Sequence, residues 1–218
     1  MSRLILALVC VLGLATGVRA DPKVPDRFTP ANAAILLVDH QKLTVDWIRS
    51  LPRETFLQNL RMLTRLGVEE GIPTVVTTTM EDVAGPSIKD IQELAPKQWA
   101  ARIKRGGTIN AFLDPGFKAA VKATGRKKLI IAGLTTDICL LHTVQGARRE
   151  GYEVWVVADA SGSMSALADQ LTYDYLRSIG ATVTGANSAL SELYNDFGTP
   201  EGGKAMKINL DEVVSKLK

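Results

Sequence analysis

The sequence predicts an α/β fold, a doubly wound and mainly parallel sheet with helices on both faces. Three observations carry this expectation. Short apolar runs such as AAILLV and KLIIA lack the polar alternation of a strand with one face in water, so they suit strands covered on both sides. Between them lie segments whose apolar residues recur every three or four positions, the spacing of a helix with one buried stripe. The two patterns alternate along most of the chain, as a parallel sheet with crossover helices requires.

In chain order, the polar, Pro-rich stretch DPKVPDRFTP favours extended backbone and makes residues 21–31 a lead-in. The first strand is AAILLV, residues 33–38, ended by Asp39. Phe56, Leu60, Leu63 and Leu66 put one apolar stripe on a helix over residues 54–66, and Gly71 and Pro73 stop the helical stretch that follows. TVVTTT, residues 74–79, is a β-branched second strand, with a weaker helical segment after it at 88–94. Next come a short strand near 101–104, a helix over 115–123 and the strand KLIIA at 128–132. A helix over 137–150, the strand EVWVV at 153–157, an amphipathic helix over 166–179 and a strand at 181–184 follow. The end of the chain reads as helical from 189 to 218, with a break around Gly202. A length of 218 residues suits one domain, placed at residues 32–195, with 196–218 as a C-terminal helical tail.

Charged residues make up 22% of the chain and the formal net charge is only +3, so the clustered basic surface that a phosphate backbone demands is missing. Nucleic acid is therefore not an expected partner. Residues 1–20, MSRLILALVCVLGLATGVRA, have a charged start at Arg3, an apolar stretch over 4–15, and small residues Val18 and Ala20 flanking Arg19. That pattern reads as a cleaved signal peptide and predicts an exported protein, periplasmic or secreted. The apolar stretch is shorter than the roughly 20 residues of a spanning helix, so no membrane association is expected after cleavage. Cleavage also removes Cys10 and leaves Cys139 as the one cysteine. A thiol with no internal disulfide partner in an oxidising compartment calls for another role.

Ligands of a doubly wound sheet bind beyond the carboxyl ends of the strands, above all where strand order reverses. If the strands at 33–38 and 128–132 flank that reversal, Asp39 faces the loop of Gly133, Leu134, Thr135 and Thr136, with Cys139 just beyond. Thr136 or Asp137 suits a helix N-cap, which puts Cys139 in the first helical turn, where the positive dipole end favours a thiolate. Asp39 is then placed to act as general base. The plain alternatives are a cysteine that fills the core and an aspartate that caps a loop. His142 lies three residues after Cys139 on roughly the same helical face, so a Cys–His dyad is a second arrangement, although such neighbours seldom align for proton transfer. The segment KRGGTINAF, residues 104–112, brings two cations and two glycines to a strand end, or else is an ordinary basic turn. Trp47, Met80, Phe112 and Leu140 are pocket candidates by position and core candidates equally. No phosphate loop, dinucleotide fingerprint, serine nucleophile elbow or two-histidine zinc signature occurs, so no cofactor is expected.

LLVDHQ at 36–41, RGGTINAF at 105–112, IIAGLTTDICL at 130–140 and VWVVADASG at 154–162 together resemble the isochorismatase-like hydrolases, most closely the YcaC-related branch. The likeness spans residues 31–193. It implies a six-stranded parallel sheet in a Rossmann-like three-layer sandwich and a catalytic Asp, basic residue and Cys, which here match Asp39, Arg105 and Cys139. A one-residue shift exchanges Arg105 for Lys104. The resemblance further implies a cis peptide before Thr135 that aims the N–H groups of Thr135 and Cys139 at a developing oxyanion. Nicotinamidases of this fold bind metal through an Asp and histidines near a DWH-type motif, which this chain lacks, so a metal-free site is implied. True isochorismatases do not rely on a cysteine at the matched position, so Cys139 points to a hydrolase of small amide-like or imide-like substrates. Family members are commonly oligomeric, which implies a homo-oligomer. Two other classes stand beside hydrolysis: an idle oligomeric small-molecule-binding protein that kept the site, and thiol redox work, which needs a second thiol from elsewhere.

Overall fold

The computed structural model describes residues 26–217. The expected signal peptide, residues 1–20, lies outside them. The first half of the chain order is β1 (Ala33–Val38), α1 (Lys42–Asp46), α2 (Arg53–Glu69), β2 (Thr74–Thr79), α3 (Glu81–Ala84), α4 (Lys89–Leu94), α5 (Pro96–Ala100) and β3 (Ile103–Arg105). Then follow α6 (Pro115–Ala123), β4 (Lys128–Gly133), α7 (Leu141–Arg149), β5 (Glu153–Val157), α8 (Ala166–Ser178), β6 (Thr182–Thr184), α9 (Ala186–Leu193) and α10 (Pro200–Glu212). The six strands form one sheet in the order β3-β2-β1-β4-β5-β6, and every pairing is parallel. This is the doubly wound, three-layer fold that the sequence predicts.

β1 shows why its sequence lacks alternation, since all six of its residues are buried. Ala33, Ile35 and Leu37 enter one core with side chains of α2, α4, α9 and α10, while Ala34, Leu36 and Val38 enter a second with those of α6, α7 and α8. Each large aliphatic side chain buried this way contributes roughly 1.5–3 kcal/mol. The chain runs outward from β1 through β2 to β3, then returns to the other side of β1 at β4, so strand order reverses between β1 and β4. Val38, the last residue of β1, pairs with Thr77 on one side and Gly133 on the other. A Cβ at Gly133 would stand 3.0 Å from that of Val38, so glycine lets these two strand ends close up beneath the site.

Three boundaries depart from expectation. β3 is Ile103–Arg105 because Ala101 still belongs to the end of α5, its N–H donating to Lys97 O at 3.1 Å. The helix expected over 137–150 is two pieces, a single π-type turn at Thr136–Leu140 and then α7. In that turn Leu140 N–H passes over the normal partner and donates to Thr135 O at 3.2 Å. The helical break expected around Gly202 lies instead at residues 194–199. Thr199 caps α10 by accepting from Gly202 N–H at 3.0 Å, and Pro200 takes the first helical position, so Gly202 sits inside the first turn. α10 then joins the core through Ala205 and Ile208, and its Glu212 pairs with Arg61 and Arg65 of α2 at 3.0 and 2.9 Å. Among the described residues, no helix is long and apolar enough to cross a membrane.

Candidate active site

β1 ends in an unusual backbone state, Asp39 at φ 56°. A non-glycine residue avoids this region unless its surroundings impose it. Here Asp39 N–H donates to Thr77 O at 3.0 Å, while Asp39 O accepts from Gln41 N–H at 2.8 Å and from the Thr44 hydroxyl at 2.6 Å. Gln41 locks the same corner to β2, its side-chain amide accepting from Thr79 N–H and donating to Thr79 O, both at 2.8 Å. The outcome is a fully buried carboxylate at the carboxyl edge of the sheet.

Arg105 meets it from the end of β3. The guanidinium pairs with Asp39 Oδ2, and neither side chain has exposed surface. Its Nε donates to Thr77 Oγ1 at 3.0 Å and its Nη1 to the carbonyls of Thr108 and Ile109. Lys104 points to the other side of the strand, is mostly exposed, and pairs with Glu81 at 3.2 Å. The two-residue period of a strand thus makes Arg105, not Lys104, the basic neighbour of Asp39.

Cys139 is buried in the π-type turn and is the other neighbour of the Asp39 carboxylate. Asp39 Oδ1 has no hydrogen-bond partner of normal geometry among the described residues. Burial pushes the Asp39 carboxyl above its usual range, with Arg105 pulling the other way. Burial and then the Asp39 charge push the Cys139 thiol up as well, and Arg105 offsets only part of this. Both influences oppose the thiolate that a helix N-terminus favours. Thr135, rather than Thr136 or Asp137, holds the cap position and makes no side-chain cap bond, so the helix terminus is outweighed by burial beside a carboxylate.

Leu134–Thr135 is a cis peptide, as expected. Thr135 N–H finds no backbone acceptor among the described residues, and Thr135 Oγ1 is buried without a partner. His142 does not form the dyad: its Nδ1 lies 3.0 Å from Gln145 Oε1, and it is absent from the groups acting on the thiol. The other histidine, His40, is buried against Phe56 with Nε2 3.0 Å from Ala160 O, and burial lowers its pKa to about 4, so it is neutral near pH 7.

A cavity of about 140 Å³ opens onto Cys139 and Thr135. α1 supplies Leu43 and Thr44 and is followed by Trp47, β2 ends in Thr79 and is followed by Met80, α3 supplies Val83 and Ala84, and the π-type turn adds Ile138. Trp47 and Met80 thus line it as expected. Phe112 and Leu140 do not, because both are buried in the core shared with α6 and α7, Phe112 edge-on to Phe117. Leu43, Val83 and Ala84 were missed because they sit on helices of five and four residues, too short to show periodicity. Among the described residues, no group of three or more His, Cys, Asp or Glu is arranged to hold a metal.

A six-stranded parallel sheet with a buried Asp, Arg and Cys at its switch point defines an α/β protein of the isochorismatase-like class. The Isochorismatase domain matches residues 33–188, and the chain belongs to the isochorismatase family. It is 35% identical over 172 residues to the "Probable hydrolase YcaC" of Escherichia coli K12, covering 78% of this chain and 82% of that protein. The solved structure of Pseudomonas aeruginosa YcaC with hexane-2,5-diol and covalent acrylamide superposes with a TM-score of 0.82 at 32% identity, covering 88% of this chain and 94% of that one. Escherichia coli YcaC, described as an octameric hydrolase of unknown specificity, superposes with a TM-score of 0.81 at 30% identity, covering 89% and 94%.

Proposed function

We propose that this chain is a cysteine hydrolase of small amides or imides, with Cys139 as nucleophile, Asp39 as proton acceptor and donor, and Arg105 as the group that holds Asp39. The observation that carries the reading is the Cys139 thiol beside the Asp39 carboxylate, itself clamped by Arg105, at the floor of a cavity. In the first step Asp39 takes the thiol proton as Sγ attacks the substrate carbonyl carbon. The oxygen gains the negative charge and faces the N–H groups of Thr135 and Cys139. Collapse breaks the carbon–nitrogen bond, the Asp39 proton passes to the leaving nitrogen, and a thioester remains. Water then attacks the thioester, gives its proton through Asp39 to Sγ, and releases the acid. That a Pseudomonas aeruginosa relative carries covalent acrylamide is in keeping with a reactive nucleophile in this family. A hydrolysis screen over small amides and imides, with Cys139→Ala as control, tests the reading. Turnover that survives in Cys139→Ala would refute it.

The chain is further proposed to work as a homo-oligomer, in line with the octameric relative. Leu167, Leu171 and Tyr175 recur every four residues on α8 and are 64%, 62% and 43% exposed. Two α8 helices crossing antiparallel at Leu171 would set Leu167 against Tyr175 of a second copy, and Asp174 against Ala168, with no like charges opposed. Export through residues 1–20 is proposed from their composition, and mass measurement of the mature chain from its source checks it.

A further inference from the structure

We propose that the cavity above Cys139 selects an uncharged substrate whose apolar part is no larger than a six-membered ring, and that Met80 and Val83 set this choice. The inference rests on the hydrolase reading for the site's chemistry, but not for its shape. Among the described residues, no Asp, Glu, Lys, Arg or His lines the cavity. Its two threonines outside the 134–135 loop are already committed: the Thr44 hydroxyl donates to Asp39 O and the Thr79 hydroxyl to Gly106 O. What remains polar is Cys139, the unpartnered Thr135 hydroxyl and the indole N–H of Trp47. These can serve one small uncharged polar group such as a carbonyl.

Charge is available nearby but not inside. Asp39 and Arg105 lie behind Cys139 and neutralise each other. Lys42, Asp46, Glu81 and Asp82 line an adjoining surface depression on α1 and α3, which shares Leu43, Val83 and Ala84 with the cavity but adds no charge to its lining. Glu81 is in any case held by Arg102, at 2.6 Å, and Lys104. A substrate carboxylate or ammonium entering the cavity would lose its water without gaining a partner, a cost that selects against it. The volume, about 140 Å³, is close to that of cavities of roughly 150 Å³ that hold benzene.

Met80 forms the wall at a constrained position. Its backbone is left-handed, at φ 44°, and is tied down by N–H donation to Arg105 O at 3.1 Å. Val83 N–H and Ala84 N–H donate back to Met80 O at 2.9 and 2.8 Å, so Met80 is joined to the first turn of α3. The side chains of Met80 and Val83 are themselves largely exposed at the cavity rim, so changing them leaves the core untouched.

The test reads binding, not turnover, in the Cys139→Ala protein by titration calorimetry with benzamide, 2-naphthamide and succinamate. Benzamide is expected to bind at least about tenfold tighter than either of the others. Met80→Ala should bring 2-naphthamide level with benzamide, and Val83→Lys should bring succinamate level. Succinamate binding as well as benzamide to the unaltered cavity, no binding by any of the three, or ratios unmoved by both substitutions would each overturn the proposal. If benzamide binds as expected but the wild-type chain hydrolyses no amide, the hydrolase reading fails and the selectivity stands.

Discussion

At the carboxyl end of β1 and β4 two buried acids, the Asp39 carboxyl and the Cys139 thiol, stand side by side, and burial raises both. In the proposed mechanism the thiol proton passes to Asp39 as sulfur attacks the substrate. Asp39→Asn is therefore expected to lower kcat/KM by about 10²–10⁴-fold, and Cys139→Ala to leave only background. Arg105→Lys cannot reproduce the fork that reaches Asp39, Thr77 and the 108–109 carbonyls together, so activity should fall there too. His142→Ala should keep full activity, since that ring faces Gln145. A dead His142→Ala enzyme with an intact fold would restore the dyad. His40 gives a stability prediction of definite sign. Its folded pKa of about 4 lies below the unfolded 6.5, so the unfolded chain binds the extra proton, and the stability present above pH 6.5 is lost as pH falls toward 4. Roughly 2 kcal/mol should go by pH 5. Urea unfolding at pH 8 and pH 5 checks this, with His40→Gln expected to flatten the difference.

At the scale of elements, legibility followed the strength of the local pattern. β1, β2 and β5 were readable to the residue because each is a short, compact run of mostly apolar or β-branched residues. The short helices α1, α3 and α5 left no trace, since four or five residues cannot display a period of 3.6. Asp39 and Cys139 could be paired from the topology, but the clamp from Thr77 could not, because a threonine in a β-branched run looks like any other strand residue. The upward push on the Cys139 thiol was also hidden: a sequence shows a helix start, not the depth of burial or the carboxylate beside it. Gly202 shows the converse error, a glycine read as punctuation that is really a contact. A Cβ there would stand 2.0 Å from Asp196 O, so Gly202→Ala should cost on the order of 1–3 kcal/mol by displacing the start of α10. Thermal or urea unfolding measures it, and a neutral result would mean that the 194–199 segment yields freely.

For the whole molecule, the two cores and the reversal between β1 and β4 bring residues 39, 105 and 139 together from three strand ends. α10 closes the opposite layer through Arg61, Arg65 and Glu212, well away from the proposed contact on α8. If that contact joins copies, Leu171→Glu should place like charges opposite each other at the crossing and lower the assembly's mass in light scattering, with the fold retained by circular dichroism. An unchanged mass would move the interface elsewhere. The central claim, that Asp39 activates the Cys139 thiol, is tested most directly by the rate at which iodoacetamide labels Cys139 at pH 7 in wild type and in Asp39→Asn, read by peptide mass. Removing a negative charge alone would ease thiolate formation and speed labelling. If Asp39 accepts the thiol proton, labelling is slower in Asp39→Asn because the acceptor is gone; equal or faster labelling would show that Asp39 does not activate the thiol.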